Sequence, residues 1–90
     1  MSRDVEGVTK QVGCVMRRLR VKKNMTQASL AYEAEINVSY YCAVENGENN
    51  ISLRKFLSVC QALREPADHV VSMILESESN LDEYHPSRGR

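Results

Sequence analysis

The chain has 90 residues, of which 42% are hydrophobic and 27% charged, and its formal net charge is zero. This composition is typical of one globular domain and excludes a disordered chain. No apolar run is long enough to span a bilayer, and the N-terminal segment lacks the apolar stretch of a signal peptide, so we expect a cytoplasmic protein without membrane contact. Residues 1–30 contain seven Lys or Arg against two Asp or Glu, so the neutral chain can still present a basic face.

The cysteines, Cys14, Cys42 and Cys60, are scattered and form no C-x-x-C pair. In a reducing cytoplasm we expect them to be core thiols. Neither His69 nor His85 has ligand spacing to them, so no metal site is predicted. A redox switch at Cys42 is the weaker alternative, because nothing nearby in the sequence would lower the pKa of its thiol.

Apolar residues recur at helical spacing over residues 8–19, which predicts a first amphipathic helix. Gly13 within it costs about 1 kcal/mol relative to Ala, and this indicates that another element packs closely there. The helix should fade at residues 22–24, where cations suit a C-terminus and Asn suits the left-handed region. Thr26 is the predicted N-cap of a second, short helix that ends near Glu35.

Asn37 is the predicted N-cap of a third helix, which runs to about Glu45 and is followed by a polar loop over residues 46–50. Ser52 caps a fourth helix, and Pro66 fits the first turn of a fifth. The sequence therefore predicts an all-α fold of five short helices. The connection between the second and third helices is very tight, which is typical of a helix-turn-helix.

We expect this domain to span residues 8–76, with a flexible N-terminus at 1–7 and a flexible tail at 77–90. The fifth helix carries a wider apolar face than one small core needs. That face could be buried within the chain, but a homodimer seam is the favoured interpretation. The predicted interface consists of Val70, Val71, Met73, Ile74 and Leu75.

Residues 25–47 carry a pattern in a fixed order. The pattern begins with a hydrophobic residue, Thr-Gln and Leu-Ala. It continues after the turn with an aliphatic residue, Ser and an inward aromatic, and it ends with Glu and Gly. This order resembles the lambda-type phage repressor/Cro family, and the similarity continues without a gap from Val12 to Leu63. The short length and the Asn49-Asn50 loop also resemble the controller proteins of restriction–modification systems. The resemblance implies a five-helix repressor-like domain. It also implies a homodimeric transcriptional regulator that binds a pseudo-palindromic operator in double-stranded DNA, controls its own promoter and needs no cofactor.

The resemblance also assigns roles to residues. The positions that approach base edges in the recognition helix are Val38, Ser39, Tyr40 and Ala43. The resemblance places three residues at positions expected to contact phosphate: Gln27, Asn46 and Asn50. Lys22 and Lys23 are added to this set because of their charge. Arg20 and Glu45 correspond to a partly buried structural ion pair. None of the base-reading side chains can form a bidentate bond, so we expect sequence readout either to be modest or to rest partly on DNA shape. A supporting role for Tyr40 at the surface stays open.

No nucleophile–base pair, metal set or phosphate loop is recognisable, so we do not predict an enzyme. A regulator of this kind acts by blocking RNA polymerase at a promoter or by contacting it, and Glu33 and Glu35 could form such a contact. The alternative hypothesis belongs to another class of protein: an antitoxin or other protein-interaction module that binds a partner protein. An apolar surface left exposed in the dimer would favour that alternative.

Overall fold

A computed structural model describes the backbone of residues 2–83 and the side chains of residues 7–77. The all-α prediction is confirmed. Over the described backbone the helices are α1 (Ser2–Lys22), α2 (Gln27–Ala34), α3 (Val38–Glu45), α4 (Leu53–Leu63) and α5 (Ala67–Glu83). Helix α1 begins before the expected boundary at residue 8, and α5 continues beyond the one at residue 76. The rest of the expected tail, residues 84–90, lies outside the described residues.

Three helices begin at the capping residues that the sequence indicates. The side-chain oxygens of Thr26, Asn37 and Ser52 each accept a hydrogen bond from the backbone N–H three residues later. Thr26 also takes part in a capping box, because its own N–H donates to the hydroxyl of Ser29. These bonds satisfy donors that a helix N-terminus otherwise leaves open, and they fix where α2, α3 and α4 start.

The ends of α1, α2 and α4 are marked by residues with φ of 60°, in the left-handed region: Asn24, Glu35 and Arg64. Asn tolerates this conformation, as expected. Glu35 and Arg64 do not favour it, and each costs roughly 1–2 kcal/mol relative to a right-handed conformation. Neither was predicted, because the sequence at these positions lacks the Gly that usually marks a helix end.

The core is built from all five helices. Helix α1 packs against α3 and α5, and α2 packs against α3 and α4. The largest side chains with no exposed surface are Tyr41, Met16, Leu30, Leu63, Val15, Val44, Val59 and Val70. Helix α3 is therefore held from two sides, by α1 and α2, while its remaining face is left outward.

Gly13 is the point of closest approach between α1 and α3. A Cβ atom at this position would lie 2.5 Å from the carbonyl oxygens of both Val44 and Glu45, which is far inside van der Waals contact. The expectation of close packing at Gly13 is confirmed. The absence of a side chain here lets α1 rest directly on the last turn of α3.

Helix α5 has two different faces. Val70 is fully buried and Ile74 is 6% exposed, so both belong to the core of this chain, with Met73 packed partly against it. Val71 and Leu75 are 42% and 57% exposed. Of the residues expected at a dimer interface, these two are thus the most accessible to another molecule, while Met73 is half-buried.

The three cysteines have different environments. Cys60 is buried, and burial raises the pKa of its thiol to about 11. Cys42 is half-buried, whereas Cys14 is exposed, so the expectation of a core thiol is wrong for Cys14. Among the described residues, no group of three or more potential metal ligands lies together. Within the same part of the chain, no helix has the length and apolar character needed to cross a membrane.

Candidate nucleic-acid interface

Helices α2 and α3 are joined by a turn of three residues, Glu35, Ile36 and Asn37. The N–H of Ile36 donates to the carbonyl of Ala31 at 2.9 Å, and the N–H of Glu35 donates to that of Tyr32 at 3.0 Å. These bonds close the end of α2 and turn the chain directly into the Asn37 cap of α3. The result is a helix-turn-helix whose second helix has a fixed orientation relative to the first.

The outward face of α3 carries the residues predicted to approach base edges. Val38 is 41% exposed and Ser39 is exposed, while Tyr40 and Ala43 are half-buried. The inward face consists of Tyr41 and Val44, which are fully buried. The first turn of α3 is therefore the part of this helix that is most open to a ligand.

Tyr40 has the supporting role at the surface that the sequence left open. Its hydroxyl donates to the carbonyl of Asn50 at 3.3 Å and accepts from the N–H of Ser52 at 3.2 Å. The Lys55 ammonium lies 5.2 Å from the centre of the ring, within reach of a cation–π interaction. Tyr40 thereby fastens the loop after α3 and the start of α4 to the outward side of α3.

The loop after α3 is also tied to α1. The Thr9 hydroxyl donates to Oδ1 of Asn50, and the backbone of Gly47, at φ of 76°, lies against Lys10. Asn46 and Asn50 are both exposed. Because Oδ1 of Asn50 already accepts a hydrogen bond, its amide nitrogen is the group available to donate to an anion. The two asparagines predicted to contact phosphate thus lie in a loop that is held at both ends.

Arg20 and Glu45 form a two-point ion pair between α1 and the end of α3. Nε of Arg20 lies 2.6 Å from Oε2 of Glu45, and Nη2 lies 3.2 Å from Oε1. Nη1 of Arg20 donates to the carbonyl of Met25 at 2.8 Å, and the Tyr41 hydroxyl donates to Oε2 of Glu45 at 2.5 Å. The two charged side chains are only 13% and 3% exposed, so loss of either partner would leave a charge with little solvation.

The charge state of this cluster follows from its hydrogen bonds. Burial alone would raise the pKa of Glu45, but the hydrogen bonds from Arg20, Tyr41 and Gln27 outweigh burial and lower it. The hydrogen bond to Glu45 in turn raises the pKa of Arg20. Burial and the hydrogen bond to Glu45 raise the pKa of Tyr41. Glu45 is therefore ionised, Arg20 is charged and Tyr41 is neutral at physiological pH.

Gln27, the first residue of α2, is half-buried and has two partners on α3. Its Nε2 donates to Oε1 of Glu45 at 3.0 Å, and its Oε1 accepts from the Cys42 thiol at 3.2 Å. The resemblance implied a phosphate contact for Gln27 but neither of these bonds. The sequence did offer one indication of these bonds: Cys42 and Glu45 lie three residues apart and so share one face of α3.

The two lysines predicted to contact phosphate lie in different surroundings. Lys22 is exposed in the last turn of α1. Nζ of Lys23 lies 3.2 Å from Oε2 of Glu65, whose Oε1 is 3.1 Å from Nδ1 of His69. Hydrogen bonds from His69 and Lys23 lower the pKa of Glu65. Lys23 thus connects the end of α1 to the corner between α4 and α5, a contact that the sequence did not predict.

The tight turn, the capped recognition helix and its open first turn define a class of protein. The family described as Helix-turn-helix matches residues 16–70, more than half of the chain. The chain therefore belongs to this family of DNA-binding transcription regulators, which are not enzymes. The resemblance inferred from residues 25–47 is confirmed. Comparison with curated proteins gives no match.

Solved structures give a narrower placement. The restriction–modification controller protein C.AhdI from Aeromonas hydrophila is 31% identical, over 69% of this chain and 94% of that one, with a TM-score of 0.67. The clp gene regulator ClgR from Corynebacterium glutamicum is 24% identical, over 84% and 81%, with a TM-score of 0.81. The controller protein C.Esp1396I, solved as a tetramer with its natural 35 base-pair operator, is 21% identical, over 79% and 93%, with a TM-score of 0.74. The last two similarities concern the fold. This chain is a helix-turn-helix DNA-binding regulator similar to the controller proteins and ClgR.

Proposed function

We propose that this protein binds a pseudo-palindromic operator in duplex DNA as a homodimer and controls transcription from its own promoter. The observation that carries the proposal is the outward first turn of α3, held against α2 by a three-residue turn. At a promoter, such a protein acts on RNA polymerase in the cytoplasm, either by excluding it or by contacting it.

The N-terminus of α2 supports a contact with the DNA backbone. The capping box uses the N–H groups of Thr26 and Ser29, and the N–H groups of Gln27 and Ala28 between them point out of the first turn. A helix N-terminus favours an anion because its open N–H groups carry partial positive charge. We place one phosphate here and further phosphates at Lys22 and at the amide nitrogens of Asn46 and Asn50.

The face of α3 then lies in the major groove, with Val38, Ser39, Tyr40 and Ala43 nearest the base edges. These side chains offer apolar contacts to thymine methyl groups and single hydrogen bonds. A helix with eight residues and no Arg, Lys, Asn or Gln supplies little discrimination by itself. A second copy of the chain doubles the contacts and reads a second half-site.

The exposed apolar residues of α5 support the homodimer. Val71 and Leu75 lie four residues apart and therefore on one face of the helix, next to the buried Val70 and Ile74. We expect two-fold pairing through this face to bury both side chains and to set the two recognition helices about 34 Å apart, one turn of DNA. This spacing is the physical reason for expecting a pseudo-palindromic operator.

The test is a gel-shift titration of the full chain against the DNA immediately upstream of its own gene, at two salt concentrations and with random DNA as competitor. We expect binding that survives the competitor and weakens with salt. Gln27→Ala should weaken it by about 10- to 150-fold, since a hydrogen bond to a charged group contributes roughly 1.5–3 kcal/mol and each 1.4 kcal/mol is a factor of about ten. Gln61→Ala, which removes the same side chain from an exposed site on α4, is the matched control and should bind normally.

Binding that random DNA abolishes at equal concentration would overturn the assignment of an operator at this promoter. Equal losses for Gln27→Ala and Gln61→Ala would show that the proposed docking of α2 is wrong, even if the protein binds the operator. The first result would direct attention to a partner protein, whereas the second would require a different docking of the domain on DNA.

A further inference from the structure

The amide of Gln27 is held at both of its ends by α3. Its nitrogen donates to Glu45 and its oxygen accepts from Cys42. The chemistry of the neighbours permits one orientation only. An ionised carboxylate can only accept hydrogen bonds, so Nε2 must face Glu45, and Oε1 then faces the thiol, which donates. Glu45 is held in the ionised state by Arg20 and Tyr41.

The amide nitrogen of Gln27 carries two hydrogens, and Glu45 takes one of them. The second points away from Glu45, on a residue that begins α2 and is only half-buried. This free N–H belongs to the first residue of α2, a helix N-terminus whose first backbone N–H groups have no partner within the helix. Together, the side-chain N–H and these backbone N–H groups can donate hydrogen bonds to the oxygens of one phosphate group.

We infer that Cys42 is a positioning residue for the phosphate contact of Gln27. The thiol does not touch DNA in this arrangement. It fixes Oε1 and thereby aims the second N–H of Nε2 at the DNA backbone. The inference rests on the proposed function, because it requires DNA to bind at the N-terminus of α2.

The physical basis is the conformational freedom that the Gln27 side chain would keep without the hydrogen bond from Cys42. With Glu45 as its one partner, the side chain can swing about a single hydrogen bond, and binding then has to order it. Ordering one long side chain at an interface weakens association by about three- to tenfold. A thiol is a weak donor, but here it needs only to select one of several conformers. Serine at the same position also donates, so it should preserve the effect.

The experiment measures the affinity of the full chain for the DNA upstream of its own gene, by fluorescence anisotropy at one fixed salt concentration. The variants are Cys42→Ala, Cys42→Ser, Gln27→Ala and the double variant Cys42→Ala/Gln27→Ala. Cys14→Ala, which removes an exposed thiol from α1, is the matched control. Thermal melting of each variant shows whether it is folded.

We expect Cys42→Ala to bind about three- to tenfold more weakly, and Cys42→Ser and Cys14→Ala to bind like the unaltered chain. In the Gln27→Ala background, Cys42→Ala should have no further effect, because the group it positions is gone. The loss should be the same on operator and on random DNA, since a phosphate contact carries no sequence information. If Cys42 had only a structural role, Cys42→Ala would lower the melting temperature, and its loss of affinity would be the same with and without Gln27.

An unaltered affinity for Cys42→Ala overturns the inference and leaves the proposed function intact. An equal loss with and without Gln27 also overturns it, because Cys42 would then act by another route. If the unaltered chain binds no DNA, the proposed function fails and this inference fails with it.

Discussion

Gly13→Ala tests whether the close approach of α1 and α3 holds the recognition helix in place. The added Cβ would lie 2.5 Å from two backbone oxygens, whereas ordinary contact begins near 3.4 Å. The helices would therefore have to separate by roughly 1 Å, since backbone carbonyls cannot rotate aside within a helix. A gap of about 0.5–1 Å already removes a quarter to a half of the van der Waals attraction between facing groups.

The magnitude follows from two opposing effects. Overpacking of a well-packed core costs typically about 1–3 kcal/mol, and a contact against backbone belongs at the upper end of that range. Alanine is the better helix former by about 1 kcal/mol. The net expectation is a loss of about 2 kcal/mol in the free energy of unfolding, or a melting temperature lower by roughly 10 °C for a domain of this size.

Thermal unfolding followed by circular dichroism measures this loss. The matched control is Gly7→Ala, also in α1, where the added Cβ would meet nothing nearer than Nε2 of Gln11 at 3.7 Å. Gly7→Ala should keep or raise the melting temperature, because it gains helix propensity without a clash. A Gly13→Ala variant as stable as Gly7→Ala would refute the reasoning, since it would mean that α1 and α3 separate without cost.

Two further predictions concern the ion pair and the dimer. Glu45→Gln should cost about 3–5 kcal/mol at neutral pH, because it leaves Arg20 charged and unpaired. Since the pKa of Glu45 lies below its ordinary value of 4.5 in the folded chain, this cost should shrink as the pH falls from about 4.5 through that lowered pKa, and urea unfolding at a series of pH values measures it. A difference between the two proteins that is constant down to acid pH would contradict the assignment. Leu75→Glu should convert a dimer to a monomer in sedimentation equilibrium, whereas Leu53→Glu, at a more exposed leucine on α4, should not. The reverse result would move the dimer interface to α4.

Features that depend on neighbouring residues could be predicted from the sequence. Thr26, Asn37 and Ser52 cap helices with bonds that span three residues, and a side chain that can reach its own backbone needs no tertiary information. Gly13 was informative for a related reason, because a glycine inside a helical pattern is costly unless packing demands it. The turn between α2 and α3 was predictable in position but not in conformation, since Glu35 does not favour the left-handed region it occupies.

Features that depend on distant residues could not be predicted in the same way. The contact from Lys23 to Glu65 and the one from Cys42 to Gln27 join positions brought together only by helix packing. The end of α5 was also missed, because the sequence after residue 76 lacks the apolar stripe that marks a helix. The wide apolar face of α5 had suggested that all of it forms a dimer interface, but Val70 and Ile74 pack into the core of this chain.

These contacts determine which basic side chains of the chain stay available to contact DNA. Arg20 and Lys23, two of the basic residues that make the first third of the chain positive, are paired with carboxylates inside the protein. Helix α3 contributes no positive charge. In the docking proposed above, Lys22 is the one cation placed at a phosphate, so the dependence of affinity on salt should be shallow compared with that of a strongly basic binder. In that docking, affinity comes instead from neutral donors, such as the amides and helix N–H groups, whose contribution depends on exact orientation. That requirement explains why so many bonds in this small domain fix the positions of polar side chains around α3.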